Sequence, residues 1–130
     1  MPINVLGMIG VERPQTDSTV HIVGGGLDGD YVREFSQAHE ASGFDAILIG
    51  HSSSSADGFL VAQHAAFHTE RINVLLAHRP GFSAPTQAAR RIATLDNLIG
   101  GRLKVHIITG GVDADQRRDG DFLGHDDRYR

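Results

Sequence analysis

Between residues 44 and 109 the chain alternates three short apolar runs with two longer amphipathic ones, and few folds accept that rhythm. The runs at 44–49, 72–77 and 103–108 are rich in Ile, Leu and Val and too short for helices, so they predict strands. The segments between them repeat apolar residues at spacings of three and four, which predicts helices. Strands joined by helices form a parallel sheet, because the helix carries the chain back to the edge where the strand began. All such strands finish on one side. Gly50-His51-Ser52-Ser53-Ser54-Ser55, His78-Arg79-Pro80 and Thr109-Gly110-Gly111 are therefore expected to share that side, where a ligand site is sought.

A further strand is expected at 3–9, followed by a polar, glycine-rich stretch through Gly24-Gly25-Gly26 without helical period. A loop of that length, leaving a strand end, is expected to cover a site. Asp28 or Asp30 can cap the next helix, whose apolar stripe is Tyr31, Phe35, Ala38 and Ala41 before Gly43 stops it. Asp57 is placed to cap a second helix bearing Phe59, Leu60, Ala62, Ala65, Ala66 and Phe67. Ser83, two residues ahead of Pro85, marks the start of a third, with Ala88, Ala89, Ile92, Leu95 and Ile99 as its buried face and Gly100-Gly101 as its end. Beyond Thr109 the chain is charged and is expected to be irregular, with Phe122, Leu123 and Tyr129 its main apolar residues.

With 130 residues, 40% of them hydrophobic, the chain is long enough for one domain with a core. Its net charge of -4 and scattered Lys and Arg leave no basic footprint, so nucleic acid is not an expected partner. The absence of cysteine excludes disulfides and thiolate metal sites. Residues 1–10 are apolar, yet they lack a basic start and fall short of the ~20 residues a membrane span requires. A soluble, cytoplasmic protein without a membrane partner is expected.

His64 and His68 have the i, i+4 spacing of paired ligands, but no Glu follows His64 and no third ligand is evident, so no metal is expected. The Ser52-Ser53-Ser54-Ser55 run could hold phosphate at a helix N-terminus, although it has neither the glycines nor the lysine of a P-loop. Arg79 can pair with Asp96 or Glu70, or meet an anionic ligand. Asp57 reads as a helix cap, Thr109 as a turn residue and His106 as a hydrogen-bonding strand residue, each open to a second role.

Several stretches carry a resemblance. Ala46-Ile47-Leu48-Ile49, Asp57-Gly58-Phe59-Leu60-Val61-Ala62, Arg79-Pro80, Ser83-Ala84-Pro85-Thr86, Ala93-Thr94-Leu95-Asp96, Gly101-Arg102, Ile108-Thr109-Gly110 and Gly120-Asp121-Phe122-Leu123 occur in one order with His125 and Arg128-Tyr129. In this order and spacing the chain resembles the N-terminal half of the flavin-dependent, luciferase-like monooxygenases, particularly the alkanesulfonate monooxygenase branch. The resemblance implies an α/β fold, the first four β/α units of a (β/α)8 TIM barrel. Residues 1–130 would form a single domain of this kind cut after strand four.

The same resemblance implies reduced FMN as cofactor, supplied by a separate flavin reductase, which activates O2 to oxidise a small organic substrate. It places Ser55, Asp57, Ala77, His78, His106 and Thr109 at the flavin, with His51 and Arg79 toward the substrate, and assigns no catalytic residue. Ser55 stands where the alkanesulfonate branch has a cysteine, and His106 where relatives commonly have Asn. An open half-barrel exposes two sheet edges and an apolar inner face, so a homo-oligomer is expected. The alternative is an inactive half-barrel that binds flavin or only self-associates. A Rossmann-like domain fits the rhythm but not the pattern from Ser83 to Gly101, and Gly24-Gly25-Gly26 lacks the flanking strand and helix.

Overall fold

The computed structural model describes residues 3–14 and 26–130; most of the expected covering loop, with Gly24 and Gly25, lies outside the described residues. Four strands, β1 (Leu6–Ile9), β2 (Ala46–Ile49), β3 (Asn73–His78) and β4 (Leu103–Ile107), form one sheet in the order β1-β2-β3-β4. Every pairing is parallel. Helices α1 (Gly29–Ala41), α2 (Gly58–Phe67) and α3 (Pro85–Leu98) connect successive strands. Among the described residues no helix is long and apolar enough to cross a membrane.

Register and alternation place the core on one face of this sheet. Ile9, Ile49 and Leu76 are cross-strand neighbours, as are Ile47, Val74 and Leu103, and all six are buried. The helices close over them with Val32, Val61, Ala62, Ala65, Ala66, Leu95 and Ile99. On the opposite face Met8, Leu48, Leu75 and Lys104 form a row, and Leu6 and Met8 are 48% and 41% exposed. The strands are thus buried on one face, where the sequence of β3 alone predicts burial on both.

Local signals explain most helix starts. Asp28 accepts from Tyr31 N at 2.9 Å and Asp57 from Leu60 N at 3.0 Å, each satisfying an orphan donor and worth about 1 kcal/mol. Ser83 does not cap α3: Ala84 occupies the cap without a side-chain bond, and Pro85 supplies the start through its fixed φ. The buried stripe of α1 is rotated from expectation, with Tyr31, Val32 and Ser36 inside and Ala38 and Ala41 exposed. Ser36 is tolerated there because its hydroxyl donates to Val32 O at 2.7 Å. Leu60, Phe67 and Ala89 are also exposed, not buried.

The charged tail is not irregular either. It forms a short helix α4 (Asp113–Arg118) and a 3-10 turn (Asp126–Tyr129), held by polar contacts instead of apolar burial. Arg128 donates to Asp113 Oδ1 at 2.5 Å, and Asp121 pairs with Arg79. Gln116 is buried against Gly110, where an added Cβ would stand 2.4 Å from Gln116 Cδ. That contact and a φ of 85° restrict position 110 to glycine.

Candidate functional site

The β2–α2 loop forms the first wall of the site. Ser55 N donates to Ser52 O at 3.1 Å, folding the serines into a turn that delivers Asp57 to the start of α2. A Cβ at Gly58 would lie 3.0 Å from Leu76 Cδ1, so the glycine brings the helix start down onto β3. Phe59 then reaches the end of β3 and meets His78 edge-on, ring centres 5.7 Å apart.

The end of β3 makes the floor. Ala77 is 7% exposed and leaves space where a larger side chain would stand. Gly81, at φ 102°, turns the chain so that Phe82 stacks on His51 at 6.2 Å and lies beneath the Arg79 guanidinium at 4.6 Å. Arg91 of α3 extends over Phe59 at 5.9 Å. These groups enclose a cavity of about 400 Å³ at the strands' C-terminal ends, with Asp119 from the segment after α4 at its border. A second cavity of about 390 Å³ shares Arg79, Phe82 and Asp119 with the first.

Electrostatics at the floor favour neutral histidine. Burial lowers the His78 pKa from the ordinary value of 6.5, and proximity to His51 lowers it further. Arg79 is paired with Asp121, and their side chains are only 8% and 12% exposed. His51 Nε2 and Arg79 Nε are buried and have no hydrogen-bond partner among the described residues. Aromatic faces, a small alanine and polar groups in one cleft suit a flat, heteroatom-rich ring.

Of the eight residues expected at a site, His51, Ser55, Asp57, Ala77, His78 and Arg79 line this cavity. His106 is the register partner of Ala77 on β4 and is exposed; it is not among the lining residues. Thr109 lies half-buried past the end of β4 and is likewise outside the lining. Arg79 takes neither Asp96 nor Glu70 as partner: Asp96 accepts from Leu103 N, and Glu70 donates its amide to Glu40. The phosphate reading of the serine run is displaced, because Ser52 and Ser53 donate to the Asp115 carboxylate, which would repel an anion.

His64 and His68 are engaged locally, with Gly29 O at 2.9 Å from His64 Nε2 and His64 O at 2.8 Å from His68 Nδ1. Sequence reasoning missed Phe82, Ser83, Arg91 and Asp119 as lining residues. The aromatic at the turn after β3 was a legible signal for Phe82, whereas nothing local marks Asp119.

The sequence model of the luciferase-like monooxygenases matches residues 10–130. Among solved structures, long-chain alkane monooxygenase superposes with a TM-score of 0.74 at 18% identity, over 99% of this chain and 36% of that one. The oxygenating constituent of 3,6-diketocamphane monooxygenase from Pseudomonas putida, in complex with FMN, gives 0.72 at 18% identity, over 97% and 36%. Coenzyme F420 dependent tetrahydromethanopterin reductase from Methanopyrus kandleri gives 0.73 at 19%, over 92% and 30%. The chain spans about a third of the length of these structures. Their likeness identifies the sheet and its helices as the four-unit, N-terminal part of a TIM-barrel-like fold.

Proposed function

The chain belongs to the luciferase-like monooxygenase family, and on that footing we propose that it binds reduced FMN at the ends of β2 and β3 and serves oxidation of a small organic substrate by O2. The observation that carries this reading is the gathering of Ser55, Asp57, Ala77 and His78 around one aromatic-lined cavity at the strands' C-terminal ends. Bound there, reduced flavin supplies the oxygen-activating chemistry, with a separate reductase renewing it.

The chain's own residues bind, orient and exclude water. Ala77 gives the ring room against the sheet, and Phe59 and Phe82 close its sides against solvent. Ser55 offers a hydroxyl donor. His78, held neutral by burial, presents a ring nitrogen without placing a second positive charge beside Arg79. His106, beside Ala77 on β4, and Thr109, past the end of that strand, are assigned to the flavin's far edge, and His51 and Arg79 to the substrate side.

Anaerobic titration of the chain into reduced FMN tests the reading, followed by oxygen and absorbance recording. Saturable binding and altered reoxidation relative to free flavin are expected; reoxidation identical to that of free flavin at every protein concentration overturns it. A second reading, a flavin-binding or self-associating module without catalysis, is favoured by the exposed Leu6 and Met8 on the sheet's inner face. Two copies would cover that face. Sedimentation velocity separates the readings, since a monomer that oxidises substrate leaves the second without support.

A further inference from the structure

We propose that Asp115 is a positioning residue that fixes the serine loop in the form that makes the cavity wall; for a flavin ligand, this rests on the reading above. Asp115 lies on α4, beyond β4, yet it reaches across the end of β3 to the loop after β2. Ser53 Oγ lies 2.6 Å from Asp115 Oδ1 and 2.5 Å from its carbonyl oxygen. Ser52 Oγ donates to Oδ1 at 3.2 Å, and Ser53 N to Oδ2 at 3.4 Å. Among the described residues, every hydrogen bond that Ser52, Ser53, Ser54 and Ser55 make outside their own turn goes to Asp115.

A clamp works only if its base is fixed. α4 is anchored at one end by Arg128, whose side chain is 2% exposed, through Asp113, and beyond its other end by Asp121 on Arg79. Gln116, next to Asp115, is wedged against Gly110. The carboxylate is also kept ionised, principally by the Ser53 hydroxyl bond, so it remains a strong acceptor near neutral pH. The loop so held carries Ser52, Ser53 and Ser55 into the lining and leads directly into Asp57. Ser52 and Ser53 are therefore held by the clamp, and the loop hydroxyl without a hydrogen bond among the described residues is that of Ser55, which is left for a ligand.

The test uses the 130-residue chain with Asp115→Ala, Asp115→Asn, Ser53→Ala and the Asp115→Ala/Ser53→Ala double variant, plus Glu40→Ala at the far end of the sheet as a stability control. Amide exchange over residues 51–57 is measured without ligand, and FMN affinity by fluorescence quenching. The bonds removed predict about tenfold faster loop exchange and about tenfold weaker FMN binding for Asp115→Ala. Ser53→Ala, which leaves the Ser52 Oγ and Ser53 N bonds in place, should have a smaller effect, the double variant should add little to Asp115→Ala, and Asp115→Asn should recover part through its amide oxygen. Loop exchange in Asp115→Ala no faster than in the Glu40→Ala control, or additive single variants, would overturn the clamp. If the unaltered chain does not quench FMN, the flavin reading fails while the exchange data still decide the role of Asp115.

Discussion

Where the strands begin, Arg102 uses all five guanidinium N–H groups on Ile99 O, Thr69 Oγ1, Ile72 O, Ala66 O and Thr69 O; where they finish, Arg79 keeps a buried Nε–H without a partner among the described residues. The contrast extends to the acids. Glu40 receives the amides of Glu70, Arg71 and Ile72 at 2.6 to 3.1 Å and stitches the turn before β3 to α1. Burial there pushes its pKa up, but the three amide bonds together outweigh it and hold the carboxyl below its usual range. At the other end, Asp57 and Asp119 border open space. At one end Arg102 and Glu40 bond mainly to the backbone and Glu40 borders a cavity of about 250 Å³, while at the other Arg79 and Asp119 line cavities of about 400 and 390 Å³, in keeping with the division between stability and function found in parallel β/α folds.

Variants can break or sharpen that division. Arg102→Ala should have the largest effect, about 4 kcal/mol by urea unfolding, because it orphans several backbone carbonyls at once. FMN affinity of the folded fraction should not change; a loss there as large as at the cavity would erase the distinction between the ends. Asp121→Ala should cost about 3 kcal/mol by leaving the Arg79 charge buried and unpaired. Unlike Arg102→Ala, it should also weaken FMN binding, since Arg79 and Phe82 line the cavity together.

Asp57→Ala should remove the α2 cap for about 1 kcal/mol, read as a shift in the denaturant midpoint, and perturb the site modestly. The smallest effect concerns pH. The unfolded chain protonates His78 near 6.5 while the native state resists until a lower pH, so the unfolded state binds more protons between those values. Stability should be fully present above pH 6.5 and decline as the pH falls toward the native value. His78→Gln should flatten that slope, and an unchanged slope would show that burial of His78 does not set it.

Much of this architecture is legible residue by residue. The strands announced themselves as apolar runs, although β2 begins at Ala46 and not at Phe44, because Asp45 donates its amide to Val5 O ahead of the ladder. Asp28 and Asp57 were recognisable caps, since a carboxylate before an amphipathic run has a partner only three residues away. Ser83 failed the same test because Pro85 already satisfied the helix start, and its side chain borders the cavity instead. The charged tail misled for the opposite reason. Its order comes from Arg128 with Asp113 and Asp121 with Arg79, pairs 15 and 42 residues apart that no window of sequence contains.

The residues alone determined the alternation of strand and helix and the apolar runs that supply Ile47, Ile49, Val74 and Leu76 to the core, because periodicity and capping act over a few neighbours. Only the tertiary structure decided that Asp115 would hold the serines, that Asp121 would take Arg79, and that Phe82 would stand between His51 and Arg79. Such choices depend on which distant polar groups the folded sheet brings within about 3 Å, a condition that no local pattern encodes.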